Sequence, residues 1–122
     1  TLKDIAEYPV ITYHEGFTGR SQIDKAFSRE GISPDIVMSA LDADVIKAYV
    51  ELGLGVGIVA SIAISQVKDE GLLLLDSRHL FHSNTALIGV RRGHYLRGFA
   101  YRFIELCSDQ QTESQIKALT SV

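Results

Sequence analysis

The stretch "PVITYHEGFTGRSQIDKAF", residues 9–27, decides the fold. Its first part, "VITY" (10–13), is β-branched and aromatic and reads as a strand. Its last part opens "RSQIDKAFSRE" (20–30), which places Ile23, Ala26 and Phe27 on one face at helical spacing and is closed by Gly31. Between them Gly16 and Gly19 bracket Phe17 and Thr18. A strand therefore passes through a glycine-bearing loop into a helix, and the loop either turns the chain or holds something at the helix mouth.

Working outward, Thr1 with Asp4 gives a T-x-x-D start to a short helix over Leu2 to Glu7, ended by Pro9. Downstream, "DIVMSA" (35–40) reads as a second strand after Pro34. Asp42 is a suitable N-cap for "ADVIKAYVEL" (43–52), whose apolar stripe is Val45, Ile46, Tyr49 and Val50 and whose stop is Gly53. "GVGIVA" (55–60) follows as a third strand. Residues 9–60 thus read β-α-β-α-β, and helices between strands make the pairings parallel. The expected class is α/β. Two further strands, "LLLLD" (72–76) and "TALIGV" (85–90), flank a mild boundary at "RHLFHSN" (78–84). A helix is expected over about residues 94–107, with Leu96, Phe99, Ala100, Phe103 and Cys107 on one face, then a polar tail with one more turn at "ESQIKAL" (113–119).

A chain of 122 residues, 46% apolar and 22% charged, is long enough to bury a core and should be globular. No apolar run approaches the ~20 residues that cross a bilayer, and the start has neither a basic nor an apolar signal region. A net charge of −3 argues against gripping nucleic acid through a broad basic surface. The lone Cys107 cannot form an intrachain disulfide, which fits a reducing, cytoplasmic setting.

In an open parallel sheet, ligands sit beyond the carboxyl ends of the strands. Residues 14–19, residues 40–42 and Ser61 leave those ends, so their loops should share one rim. The first of them also delivers a helix N-terminus, where free N–H groups and the helix dipole favour an anion. Thr18 adds a hydroxyl and Arg20 a positive charge; the plainer reading makes Thr18 or Ser21 an N-cap, with Ser21 and Asp24 as a capping box. No G-K-[ST] follows, so this is not a P-loop. "GLGVG" (53–57) has dinucleotide-fingerprint glycines in the wrong order, after a helix and before a strand. His79 and His82 lack further ligands at a recognised spacing, so no metal or other cofactor is expected. Cys107 reads as a packed thiol, and Asp42 with Asp44 as cap and first-turn residues. No nucleophile–base arrangement emerges, so no enzyme is expected.

"YPVITYHEGFTGRSQIDKAFSREG" (8–31) with "DADVIKAYVELGLGVGIVA" (42–60), continued by "LDSRHLF" (75–81) and "IGVRRGHYLRGFAYRFIEL" (88–106), resembles the effector-binding domain of the CysB/Cbl group of LysR-type transcriptional regulators of sulfur assimilation. The resemblance spans about residues 1–107, and "GFTGRS" with "DADVIKAYVELGLG" is its specific part. It implies a type 2 periplasmic-binding-protein-like fold: a parallel β-α-β-α-β core of the second subdomain over residues 1–82, plus a return strand and helix of the first over 83–122. It implies binding of sulfate, thiosulfate, N-acetylserine or O-acetylserine, with Thr18 helping to hold an oxyanion; the helix-mouth reading adds Gly19, Arg20 and Ser21 to the candidate site, and the neighbouring exit adds Asp42. It further implies a cytoplasmic homodimer that meets DNA through a winged helix-turn-helix outside these residues, with no membrane partner. The alternative class is a solute-binding protein or enzyme on the same fold. The chain is expected to be a fragment that self-associates when isolated.

Overall fold

The computed structural model describes residues 1–65, 67–108 and 112–120. The chain divides into a unit over Thr1–Asn84 and a second over Thr85–Val122. In the first unit the elements run α1 (Leu2–Ile5), β1 (Val10–Tyr13), α2 (Thr18–Arg29), β2 (Ile36–Ala40), α3 (Ala43–Glu51) and β3 (Val56–Gly57), followed by one 3-10 turn at Ser61–Ala63. The sheet order is β2-β1-β3, with both pairings parallel.

β1 is the central strand, and Val10, Ile11 and Thr12 are fully buried because both faces of the sheet are covered. One core cluster joins Leu2 to Ile23, Ala26 and Phe27 of α2, with Leu80 and Phe81 packed against it. The rings of Phe27 and Phe81 sit 6.4 Å apart and tilted by 57°, a favourable aromatic arrangement. A second cluster joins Ile11, Ala40 and Ile46 of α3, with Met38, Val50 and Val59 at its edge. Burying a side chain such as Phe27 or Ile46 stabilises by about 1.5–3 kcal/mol, so these two residues anchor α2 and α3 to the sheet. α3 stops at Glu51, and Gly53 adopts φ +80°, a left-handed conformation that glycine takes without strain.

The second unit contains α4 (Gly98–Cys107) and α5 (Glu113–Thr120). Tyr101, Ile104 and Ile116 form its small core, with Val90 and Leu96 against them. The backbone N–H of Glu113 donates to the Glu105 carboxylate at 2.7 Å and fixes the start of α5.

Several expectations need correction. α1 ends at Ile5 rather than Glu7, although its Thr1–Asp4 capping box is present. β3 pairs over two residues only, and neither 72–76 nor 85–90 is a strand. Leucines 73, 74 and 75 are largely exposed, so that run lacks the sheet neighbour that would make it a strand. α4 begins at Gly98, four residues later than expected, and α5 is a full eight-residue helix rather than a turn. On α4, Tyr101 and Ile104 face inward, whereas Phe99 and Phe103 of the apolar face read from the sequence are exposed, and Cys107, expected to be a packed thiol, is an exposed free thiol. On α3, Ile46 is buried but Val45 and Tyr49 are each 37% exposed, so the inward stripe is narrower than the pattern suggested.

Candidate functional site

Three chain exits meet at the carboxyl end of the sheet. The first is the loop from His14 to Phe17, folded by a bond from the Phe17 N–H to the His14 carbonyl at 3.1 Å and by the His14 ring, whose Nδ1 accepts from the Gly16 N–H at 3.4 Å. It delivers α2. The N-cap of that helix is Phe17, which has no oxygen to cap with, in place of the expected Thr18 or Ser21. Ser21 lies inside the helix and its Oγ donates to the Thr18 carbonyl at 2.9 Å, so the expected capping box with Asp24 does not form. The first turn of α2 also carries no acidic residue. Among the described residues, nothing accepts from the backbone N–H groups of Thr18, Gly19 and Arg20, and the Thr18 hydroxyl has no partner. This exposed mouth therefore offers neutral donors at the positive end of a 12-residue helix.

Arg20 is placed differently from a solvent-facing cation. The residue is only 6% exposed. Its Nε donates to Asp24 Oδ1 at 2.7 Å, and one terminal nitrogen donates to the Tyr13 carbonyl at 2.9 Å and to Ser39 Oγ at 3.2 Å. The other terminal nitrogen lies 3.8 Å from the Glu15 carboxylate. The helix spacing explains the Asp24 pair, because residues four apart share a face.

Tyr13, the last residue of β1, ties the mouth to the exit of β3. Its ring stacks on Phe17 with centroids 6.3 Å apart and planes 23° apart. Its hydroxyl accepts the Ala60 N–H at 3.0 Å. A Cβ on Gly19 would lie 3.5 Å from this ring and 4.0 Å from the Asn84 amide nitrogen, which puts Asn84 beside the mouth. Tyr13, Ser39 and Asn84 were not singled out from sequence. The Arg20–Asp24 spacing was a legible signal for a helix-surface pair, but nothing local pointed to Asn84.

The second exit leads through Asp42. Its Oδ1 accepts the Val45 N–H at 2.9 Å, so Asp42 is the N-cap of α3, as its position suggested. No hydrogen bond or ion pair among the described residues joins Asp42 to Thr18 or Ser21. The third exit passes Ser61 in its 3-10 turn and is pinned from α3 by Lys47. The Lys47 ammonium contacts the Ala63 carbonyl at 2.9 Å, Asp44 at 2.9 Å and Asp69 at 3.0 Å. The Ser65 N–H and then Lys47 hold the Asp69 carboxyl below its ordinary range, and Asp44 and Asp69 raise Lys47. No group of three metal-ligating side chains occurs among the described residues. No helix there is long and apolar enough to cross a membrane.

Comparison with known proteins gives this geometry its family. The model of the LysR substrate binding domain matches residues 1–112, so the chain belongs to the LysR substrate-binding-domain family. It is 52% identical over 119 residues to the HTH-type transcriptional regulator SsuR of Burkholderia cenocepacia, covering 98% of this chain and 39% of that protein. It is 50% identical to the regulator Cbl of Escherichia coli over 117 residues, covering 96% of this chain and 37% of that protein. To the regulator CysB of Burkholderia cenocepacia it is 54% identical over 108 residues, 88% of this chain and 34% of that protein. The chain thus spans well under half the length of these relatives. The crystal structure of the cofactor-binding domain of the Cbl transcriptional regulator superposes with a TM-score of 0.84 at 49% identity, covering 98% of this chain and 53% of that one. The fold is the type 2 periplasmic-binding-protein-like fold of that domain.

Proposed function

We propose that this chain is part of the ligand-sensing domain of a LysR-type regulator of sulfur assimilation, and that the mouth of α2 holds an oxyanion. The observation that carries the reading is the uncapped N-terminus of α2, where the Thr18 hydroxyl and the N–H groups of Thr18, Gly19 and Arg20 stand without acceptors among the described residues. A sulfate-like dianion supplies the acceptors that Phe17 cannot. Sulfate and thiosulfate fit directly, and the carboxylate of N-acetylserine or O-acetylserine offers the same chemistry. Ser21 lies one residue further along the helix and Asp42 on the neighbouring exit, where a carboxylate suits the amide or amino end of an acetylserine. Relatives named as HTH-type regulators support a sensing role over catalysis. The full protein is read as a cytoplasmic homodimer in which ligand binding biases DNA contact by a winged helix-turn-helix domain elsewhere. Residues 1–82 belong to the second effector subdomain, and residues 83–122 return to the first, which covers the exposed Phe99 and Phe103. Titration calorimetry of the full-length protein against sulfate, thiosulfate and both acetylserines tests this reading. Saturable binding of at least one supports it, and no heat from any of the four contradicts it.

A further inference from the structure

We infer that Arg20 is the positioning residue of the oxyanion mouth and does not itself contact the ligand. The inference rests on the reading of the α2 mouth given above. Its first basis is where the guanidinium points. The group is buried and donates to three acceptors on three elements: Asp24 on α2, the Tyr13 carbonyl at the end of β1, and Ser39 on β2. The planar fork of an arginine spreads its donors over three nitrogens and spans such a set, whereas a lysine gathers its three donors on one nitrogen and does not match that spread. The side chain thereby clamps the first turn of α2 against the ends of two strands.

The second basis is what the clamp fixes. The backbone N–H of Arg20 is itself one of the donors without acceptors at the mouth, and Gly19 and Thr18 precede it directly. Holding the side chain therefore aims the donors. Tyr13 carries the clamp onward, because the residue whose carbonyl Arg20 grips also stacks on Phe17 and bonds to Ala60. The third basis is charge. Asp24 at 2.7 Å and Glu15 at 3.8 Å offset the guanidinium within the fold. The ligand then meets neutral donors, and its binding depends on their aim more than on an available cation.

The test measures sulfate affinity of the full-length protein by calorimetry, well below the melting temperature, at several salt concentrations. The variants are Arg20→Lys, Arg20→Gln, Ser39→Ala and Thr18→Ala. Misaimed donors are expected to weaken sulfate binding by about tenfold in both Arg20 variants alike, with the salt dependence of the wild type retained. Ser39→Ala, which changes no charge, is expected to lose about threefold. A purely structural role would lower the melting temperature and leave the affinity of the folded protein where it was. Arg20→Lys keeping near-wild-type affinity while Arg20→Gln loses it, with a shallower salt dependence, would make Arg20 a direct charge contact and overturn the inference. If the Arg20 variants do not fold, unchanged affinity in Ser39→Ala overturns it. Unchanged affinity in Thr18→Ala removes the underlying reading and this inference with it, whereas a loss in Thr18→Ala without one in the Arg20 and Ser39 variants removes the inference alone.

Discussion

The hydroxyl of Tyr13 accepts the backbone N–H of Ala60 at 3.0 Å, and this bond joins the exit of β1 to the exit of β3. Tyr13→Phe keeps the ring on Phe17 but leaves the Ala60 N–H without its acceptor. The expected loss is about 0.5–1.5 kcal/mol of stability, the net worth of one such hydrogen bond. Chemical denaturation at fixed pH measures it, and hydrogen exchange should show faster exchange of the Ala60 amide. An unchanged exchange rate there would mean that the phenol is dispensable to the rim.

Asp42 caps α3 through the Val45 N–H. Asp42→Ala should therefore cost about 1 kcal/mol, and Asp42→Asn much less, because asparagine caps nearly as well. Thermal melts of the two variants with and without ligand separate the cap from a ligand contact. A melting temperature equal to that of the wild type, paired with lost acetylserine binding, would assign Asp42 to the ligand alone.

The Lys47–Asp69 pair sets an acid limit on the segment after β3. Asp69 titrates below its ordinary value of 3.8 in the folded chain. A carboxylate with a lowered folded pKa contributes stability above its unfolded pKa and loses that contribution as pH falls through the folded value. Lys47 is raised from 10.5, so its contribution holds below that value and fades only above it. The wild type should thus melt higher than Asp69→Asn at pH 6, with the difference shrinking below about pH 4. Melting curves from pH 2 to 7 measure this, and a constant difference across that range would contradict it.

At Gly57 the side chains of α3 press close against β3. A Cβ there would stand 2.8 Å from Val50 Cγ2 and 3.0 Å from Ile46 Cγ2, and Ile46 is fully buried. Gly57→Ala should destabilise by about 1–3 kcal/mol through overpacking. Gly89→Ala, which meets nothing within 4 Å, serves as the control and should leave the denaturation midpoint close to wild type.

The β-α-β-α-β order over residues 9–60 was legible because the helices there carry apolar residues at helical spacing, the strands between them are apolar and β-branched, and Pro9, Gly31, Pro34 and Gly53 punctuate them. The cap of α3 was legible because Asp42 acts locally. The start of α2 was not. Its N-cap is an aromatic residue held by stacking on Tyr13, and propensity rules look for a side-chain oxygen. The burial of Arg20 was not legible for a related reason: a sequence shows its charge but not the carbonyl and hydroxyl supplied by β1 and β2. The runs at 72–76 and 85–90 have strand composition without a paired neighbour, and pairing depends on partners far along the chain. The inward face of α4 was not legible because two apolar stripes share that helix, and only packing against Ile116 of α5 selects between them.

The central claim, an oxyanion held at the mouth of α2, is tested most directly by sulfate titration of the full-length protein and its Thr18→Ala and Thr18→Ser variants. Removing one hydrogen bond to a charged group should cost Thr18→Ala about 1.5–3 kcal/mol of binding free energy. Thr18→Ser keeps the hydroxyl and should bind as the wild type does. Equal sulfate affinity in the wild type and Thr18→Ala, with both folded, would contradict the claim.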